Sequence, residues 1–378
     1  MSLRVAFGTS VLAAGLANGG VDGIGTVTRE LLSRLRQRPG IDLRPFEFAE
    51  LASGRVDGAA AVGDYRSQAR RALLLGRSFS RLKQMARGKV DLIHATDHQI
   101  PRLRRTPLLA TLMDAIPLSH PEWVTYPRKR LVNAMWRLSA QWADHIVTIS
   151  EFSKHEIARH FGMPESRISV MPLGVDARWF EQADATLQRE VRLHLELPER
   201  FFLFVGTLQP RKNLDMLIRA HALLPADLRR EVPLLIAGRE GWGCDELVTR
   251  LKGDTIHDVR WLRYVPDQYL PTLFGMATAL LFPSLSEGFG LPVLEGFAAG
   301  VPVIASNGSS IPEVAGDAAV LLDPSDPGAW AISMQQLLES PEQGDDLRTK
   351  GQERAKTFTW DRAADRLVDV YHEVLGGA

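Results

Sequence analysis

The 378-residue sequence holds one cysteine, Cys244, and no apolar run near the roughly 20 residues that a membrane-crossing helix needs. The first scarcity excludes an internal disulfide and fits a reducing compartment. The second leaves a soluble or membrane-peripheral chain. Its start, Met1-Ser-Leu-Arg-Val-Ala-Phe7, has one basic residue and too short an apolar stretch for a signal peptide, so a cytoplasmic location is expected. Aromatic residues make up 7% of the chain and are nearly absent from its most basic segment, which argues against stacking on nucleic-acid bases. The histidines and aspartates of the first half, His94, Asp97, His98 and Asp114 among them, lack a regular ligand spacing, and no metal is expected. Cys244 lies in Gly241-Trp-Gly-Cys-Asp245, where a tolerated small residue explains it better than a catalytic thiol.

Net charge is also lacking, at 45 basic against 45 acidic residues, but the balance is uneven. Residues 1–175 carry 25 Lys and Arg against 15 Asp and Glu, and the remainder 20 against 30. Such asymmetry points to two units with different partners, the basic one facing phosphates or an anionic membrane. Between Tyr65 and Arg105, 11 basic residues face only Asp91 and Asp97, with Leu73, Leu74, Leu75, Phe79, Leu82 and Met85 interleaved at near-helical spacing. That pattern fits either a basic amphipathic segment on a bilayer or a charged face over a core stripe.

What is present is an alternation of short apolar strands with amphipathic helices, which predicts parallel sheets covered on both faces. In the first half, Leu3–Phe7 reads as a strand, Gly15 to Gly25 as a glycine-rich loop and Thr26 to Arg36 as a helix. Val90–Thr96 and Leu108–Asp114 read as strands whose ends carry His94, His98, Met113 and Asp114. The carboxyl ends of strands are where open α/β sheets bind ligands. In the second half, Phe201–Val205 runs into Gly206-Thr-Leu-Gln-Pro-Arg211-Lys212-Asn213 before a helix. Two adjacent cations there make a phosphate clamp, aided by the following helix dipole. Strand Ala279–Phe282 then leads to Ser284-Leu-Ser-Glu287-Gly-Phe-Gly290-Leu-Pro-Val-Leu-Glu295-Gly-Phe-Ala-Ala-Gly300. Glycine and proline place a turn and a helix start, with Glu295 expected in the first helical turn. Two carboxylates flank exposed backbone N–H groups, a combination suited to an anionic, hydroxyl-rich ligand. The same pair admits a glycoside hydrolase or a non-catalytic protein that binds such a ligand as alternatives.

Taken in order, Gly23-Ile-Gly25, Ile149-Ser-Glu-Phe-Ser153, Pro172-Leu-Gly-Val-Asp176, Gly206 to Asn213 and Glu287 to Glu295 resemble the motifs of retaining glycosyltransferase family 4. The Pro-Arg-Lys-Asn variant is similar to bacterial mannosyl- and deoxyhexosyltransferases of surface-polysaccharide assembly. The resemblance implies a GT-B fold of two Rossmann-like α/β domains facing across a cleft. These are residues 1–173, joined by a returning C-terminal helix at 361–378 and binding the acceptor, and residues 174–360, binding the nucleotide sugar. It implies Glu287 at the donor sugar, Glu295 on the ribose, and Arg211 and Lys212 on the diphosphate, with Asp114 also catalytic. Gly206, Phe289, Gly290, Leu291, Gly23, Gly25 and Val265 would contact donor or nucleotide. Met113, His94 and His98 would lie near the donor sugar or acceptor. Met113 replaces a histidine frequent in the family, and its apolar side chain would suit a 6-deoxy sugar. No cofactor is implied beyond the nucleotide-sugar substrate, best a guanosine-diphosphate sugar, and the acceptor would be a lipid-linked glycan at an anionic membrane.

Overall fold

The computed structural model describes residues 2–17, 21, 23–49, 56–253 and 256–376. Strands that are apolar on both faces are satisfied only inside a sheet covered by helices on both sides, and the four-residue strands here are almost entirely buried. The first sheet contains β1 (Leu3–Gly8), β2 (Ile41–Glu47), β3 (Ala60–Ala61), β4 (Leu92–Ala95), β5 (Leu108–Thr111), β6 (His145–Thr148) and β7 (Ile168–Val170), in the order β3-β2-β1-β4-β5-β6-β7. The second contains β8 (Phe202–Val205), β9 (Leu234–Ala237), β10 (Val259–Arg263), β11 (Ala279–Phe282), β12 (Val303–Ser306) and β13 (Val320–Leu322), in the order β10-β9-β8-β11-β12-β13. Every strand pairing within them is parallel. Strand order reverses between β1 and β4 in one sheet and between β8 and β11 in the other. Each reversal opens a crevice beyond the carboxyl ends of those strands.

The chain divides into two units, Met1–Gly174 with Trp360–Ala378, and Val175–Thr359. In the first, the helix Trp360–Gly376 packs on the helix Gly23–Arg36 and on β6. Leu367, Val370 and Tyr371 are wholly buried there, each worth about 1.5–3 kcal/mol of burial. Arg38 adds ion pairs to Asp361 at 3.1 Å and Asp365 at 3.0 Å, but both carboxylates are well exposed and contribute little. In the second unit the entering and leaving segments pair, Val175 N donating to Phe358 O at 3.1 Å.

Several details depart from the sequence pattern. The expected loop from Gly15 to Gly25 is instead the end of a helix Ser10–Ala17 and the start of the helix Gly23–Arg36. Asn18, Gly19, Gly20 and Asp22 of that stretch lie outside the described residues. Glycine lowers helix propensity, yet the buried stripe Val27, Leu31, Leu32 and Leu35 anchors this helix and carries its first turn back through Gly25 and Gly23. The strand β2 leaves no clear strand signature in the sequence, because Asp42, Arg44 and Pro45 interrupt its apolar run. The helix Pro341–Ala355 is likewise masked in the sequence, because Gly344 and Gly351 break its pattern. Gly351 is there for close approach, since a Cβ on it would come within 2.8 Å of the Phe297 ring.

Candidate active site

The crevice of the second unit lies beyond β8 and β11, and the sequence delivers its polar residues there by two loops. After β8, Gly206 begins a loop that ends in a short 3-10 turn, Pro210–Lys212, and the helix Leu214–Ala222. Asn213 takes a left-handed conformation at φ 57° between them, and its amide donates to Pro283 O and Pro324 O at 3.2 and 2.7 Å. After β11, Pro283 ends the strand and Gly290, at φ 105°, turns the chain into the helix Leu291–Ala298. Pro292 costs that helix nothing, because an N–H in the first turn has no partner within the helix. Leu285 N donates to Arg211 O at 2.8 Å and binds the two loops together.

At their junction one carboxylate oxygen, Glu287 Oε1, lies 2.6 Å from Lys212 Nζ and 2.8 Å from Arg211 Nη1. Glu287 and Lys212 are both buried. Burial raises the Glu287 carboxyl, but Lys212 and Arg211 outweigh it and hold it at about 2. Burial pulls the Lys212 ammonium down, with Glu287 opposing. Glu287 is therefore ionised at neutral pH and holds both cations, leaving the triad one positive charge in excess. Lys212 Nζ also stands 4.7 Å from the centre of the Phe282 ring. Arg211 is aligned by Gln209 Oε1 and Ser286 O, each at 3.1 Å. The Glu287 backbone is fixed from both sides, its N–H donating to Ser309 Oγ at 3.1 Å and its carbonyl accepting from Ser310 Oγ at 2.9 Å.

Glu295 falls at the fifth position of its helix, beyond the first turn where the sequence pattern put it. Burial raises its carboxyl to about 7, Asp267 adds to the rise, and Arg178 and Lys212 oppose it. Phe289 is buried against Phe358 with ring centres 5.9 Å apart, and Leu291 opens the helix. Val265 is buried just after β10. Gly206 lies against Lys212, whose Cε would be 3.4 Å from a Cβ there.

Gly238 and Gly241 lie in the loop after β9. A Cβ on Gly238 would lie 1.9 Å from Gly206 O, and one on Gly241 would lie 2.2 Å from Leu208 O. Their backbones therefore back the cation loop at a distance only glycine allows. The visible signal was the spacing of Gly238, Gly241 and Gly243 after an apolar strand. Arg178, Asp267, Ser309 and Ser310 carried no signal, because sequence-distant elements bring them in.

In the first unit, Met113 is buried just after β5, its carbonyl accepting from Thr148 Oγ1 at 3.4 Å. Asp114 Oδ1 accepts from Ile116 N at 2.9 Å, an Asx turn that redirects the chain. His94 is not placed to touch a sugar. It is wholly buried inside β4 rather than in the loop after it, with Nδ1 2.8 Å from Tyr371 Oη and Nε2 2.7 Å from Thr111 Oγ1. Burial takes its imidazole down to about 3. The residue ties the C-terminal helix to the sheet. His98 is stacked on Trp136, ring centres 4.5 Å apart, and burial brings it down to about 4. Gly23 and Gly25 sit in the first turn of their helix. Among the described residues no cluster of three or more His, Cys, Asp or Glu could hold a metal ion.

Two family models match the chain: Glycosyltransferase Family 4 over residues 21–179 and Glycosyl transferases group 1 over residues 189–354. The O-antigen chain mannosyltransferase B of Escherichia coli is 33% identical over 282 residues, 74% of this chain and 74% of that protein. An MMP alpha-(1->4)-mannosyltransferase of Mycolicibacterium hassiacum is 27% identical over 299 residues, 78% of this chain and 68% of that one. Among solved structures, sucrose-phosphate synthase from Thermosynechococcus elongatus superposes with a TM-score of 0.74 at 18% identity, covering 100% of both chains, a likeness of fold alone. With its two parallel-sheet units, its cation–carboxylate triad beyond β8 and β11, and these matches along its length, the chain belongs to glycosyltransferase family 4 and has the GT-B fold.

Proposed function

We propose that the protein is a retaining hexosyltransferase that moves mannose or a 6-deoxyhexose of the rhamnose type from a guanosine-diphosphate sugar to a lipid-linked glycan, in polysaccharide or O-antigen assembly. The observation that carries the reading is the triad in which buried Lys212 and half-buried Arg211 share the buried carboxylate of Glu287. A surplus cation beside a helix N-terminus receives a diphosphate, and the same charges stabilise it as it leaves. The two mannosyltransferase relatives support mannose.

In this reading Arg211 and Lys212 neutralise the diphosphate, Glu287 contacts sugar hydroxyls and Glu295 accepts the ribose hydroxyls. Gly206, Gly23, Gly25 and the backbone N–H groups of Phe289, Gly290 and Leu291 bind the donor, and Val265 borders the base. Met113, Asp114 and His98 serve the sugar or acceptor. A leaving-group oxygen takes the acceptor proton, so neither a dedicated base nor a metal is required. The buried thioether of Met113 supports a donor with a methyl group at C6. The basic first half supports a peripheral position on the inner face of the cytoplasmic membrane.

A thermal-shift panel of nucleotide sugars tests the donor. A ligand at 100 times its Kd adds about 2.7 kcal/mol of stability, so GDP-mannose or its 6-deoxy analogue should give the largest rise in Tm. A uridine-diphosphate sugar in that place sinks the guanosine assignment, and a panel with no response sinks the transferase reading. The anomeric configuration of the product, read by NMR, tests retention, and full activity in chelator tests independence of metal. For Met113, the wild type should favour the 6-deoxy donor and Met113→His should reverse the order; equal preference in both removes the argument.

A further inference from the structure

We propose that the solvent-facing side of the helix Lys129–Ala140 is a docking surface for the anionic phospholipids of a membrane leaflet. The proposal rests on the membrane-peripheral part of the function above and names the surface responsible.

A surface helix normally turns its one apolar stripe to the core and its polar face to water. This helix has its core side, with Trp136 packed on the hydrophobic cluster and Ser139 and Ala140 buried. It also has a second apolar row pointing outward. Leu131 is 55% exposed, Leu138 is 54% exposed and Ala134 between them is exposed. These are positions i, i+3 and i+7, one line along the helix surface. Beside that line runs another of the same spacing, Arg130 and Arg137, both exposed. An apolar row edged by cations is the pattern of a helix lying in a bilayer interface, the leucines entering the acyl boundary and the arginines meeting phosphates.

Charge at the start of the helix points the same way. Arg128, Lys129 and Arg130 crowd its N-terminus and no acid lies in its first turn. Cations there oppose the helix dipole. Among the described residues none of Arg128, Lys129, Arg130 and Arg137 makes an ion pair within the protein. Lys129 feels the Glu122 carboxylate, so Arg128, Arg130 and Arg137 are the cations that an outside anion would complement. An open cavity of about 790 Å³ adjoins this end, lined by Leu118, Pro121, Leu131 and Ala134 together with Lys129 and those three arginines, and with one carboxylate, Glu122, which His120 already engages at 2.9 Å. Cations next to an apolar hollow match a phosphate joined to a hydrocarbon chain.

The other basic segment, between Tyr65 and Arg105, is a weaker candidate. Its helix Tyr65–Leu75 exposes Leu74 and Leu75, but both sit in the last turn before Gly76 reverses the chain, so they form no row. The apolar face of the helix Ser80–Ala86 is spent on the core through Leu82 and Ala86.

The test is flotation of the full-length protein with phosphatidylcholine vesicles, with and without phosphatidylglycerol. Binding should require the anionic lipid and weaken with salt. Each cation at such a surface contributes about fivefold to partitioning, so Arg130→Gln/Arg137→Gln should lower it roughly thirtyfold. Leu131→Gln/Leu138→Gln should weaken it at every salt concentration. Arg70→Gln/Arg71→Gln, on the other segment, should change it far less. Wild type that stays unbound overturns the proposal, as does retention in both helix variants or loss confined to the Arg70/Arg71 variant. Displacement by soluble glycerol phosphate where equal chloride has no effect would show a free-phosphate site and also overturn it. A thermal shift of the wild type with nucleotide sugar, run alongside, reports on the transferase reading separately. Far-ultraviolet circular dichroism confirms that each variant is folded.

Discussion

Replacing Glu287 with glutamine keeps the shape of the side chain and removes the one negative charge that Lys212 and Arg211 share. In the wild type the carboxyl sits at about 2 against an ordinary 4.5, and a gap of that size corresponds to about 3 kcal/mol. Removing one partner of a buried ion pair independently gives roughly 3–5 kcal/mol, because the remaining charge is stranded. Lys212 and Glu287 are both buried enough for that range to apply, at 7% and 10% side-chain exposure. For a unit of the size of Val175–Thr359, a loss of about 3 kcal/mol lowers Tm by roughly 6–12 °C. Release of the Lys212 proton limits the loss. A diphosphate supplies the missing negative charge, so added GDP should raise the Tm of Glu287→Gln by more degrees than it raises that of wild type. The sign with pH follows from a depressed acid. The contribution is complete above pH 4.5 and is lost as pH falls toward 2, and the variant lacks that acid-side loss. Differential scanning fluorimetry at several pH values, with and without GDP, reads all three effects. Equal Tm for variant and wild type at neutral pH, with equal GDP shifts, would refute the account of the triad.

Glu295 behaves oppositely. Its carboxyl is raised to about 7, so it costs stability as pH rises from 4.5 through 7, and its ionised form is the better acceptor for ribose hydroxyls. Nucleotide affinity by calorimetry should rise about tenfold per pH unit below 7 and level off above it, and Glu295→Gln should flatten the curve. Gly241→Ala would press a methyl into Leu208 O, 2.2 Å away; about 1–3 kcal/mol of stability should go, and GDP affinity should fall as the cation loop is displaced. An unchanged GDP affinity would show that this loop does not position the clamp. Tyr371→Phe leaves His94 Nδ1 buried without its 2.8 Å partner, at a cost of about 1–3 kcal/mol. A lower Tm with unchanged GDP binding is expected, since both residues belong to the first unit.

The alternation of apolar strands and amphipathic helices was legible because a strand buried on both faces must be apolar throughout, as Leu234–Ala237 and Ala279–Phe282 are. The two site loops were legible for a similar reason. Glycine, proline and the Arg-Lys pair mark where the backbone must turn and where charge is concentrated, and those demands are local. Glu295 lies just beyond the first helical turn rather than in it, because Gly290 turns the chain and the helix already opens at Leu291, earlier than the sequence pattern suggests. His94 was misread because a polar residue at a strand end resembles a ligand-facing one. Only the return of the helix Trp360–Gly376 supplies the Tyr371 hydroxyl that lets His94 lie inside the sheet.

The sequence alone therefore determined the two-sheet α/β class and marked the two loops of the candidate site, both of which depend on residue type and short-range spacing. Tertiary structure decided what distant segments do to one another. It brought Glu287 to Lys212 across 75 positions and set Gly238 and Gly241 behind the cation loop at distances that exclude a side chain. It also raised the carboxyl of Glu295 by burial and left Leu131 and Leu138 facing outward beside their arginines. A charge, a carboxyl or a leucine has its character written in the sequence, but its environment is a property of packing.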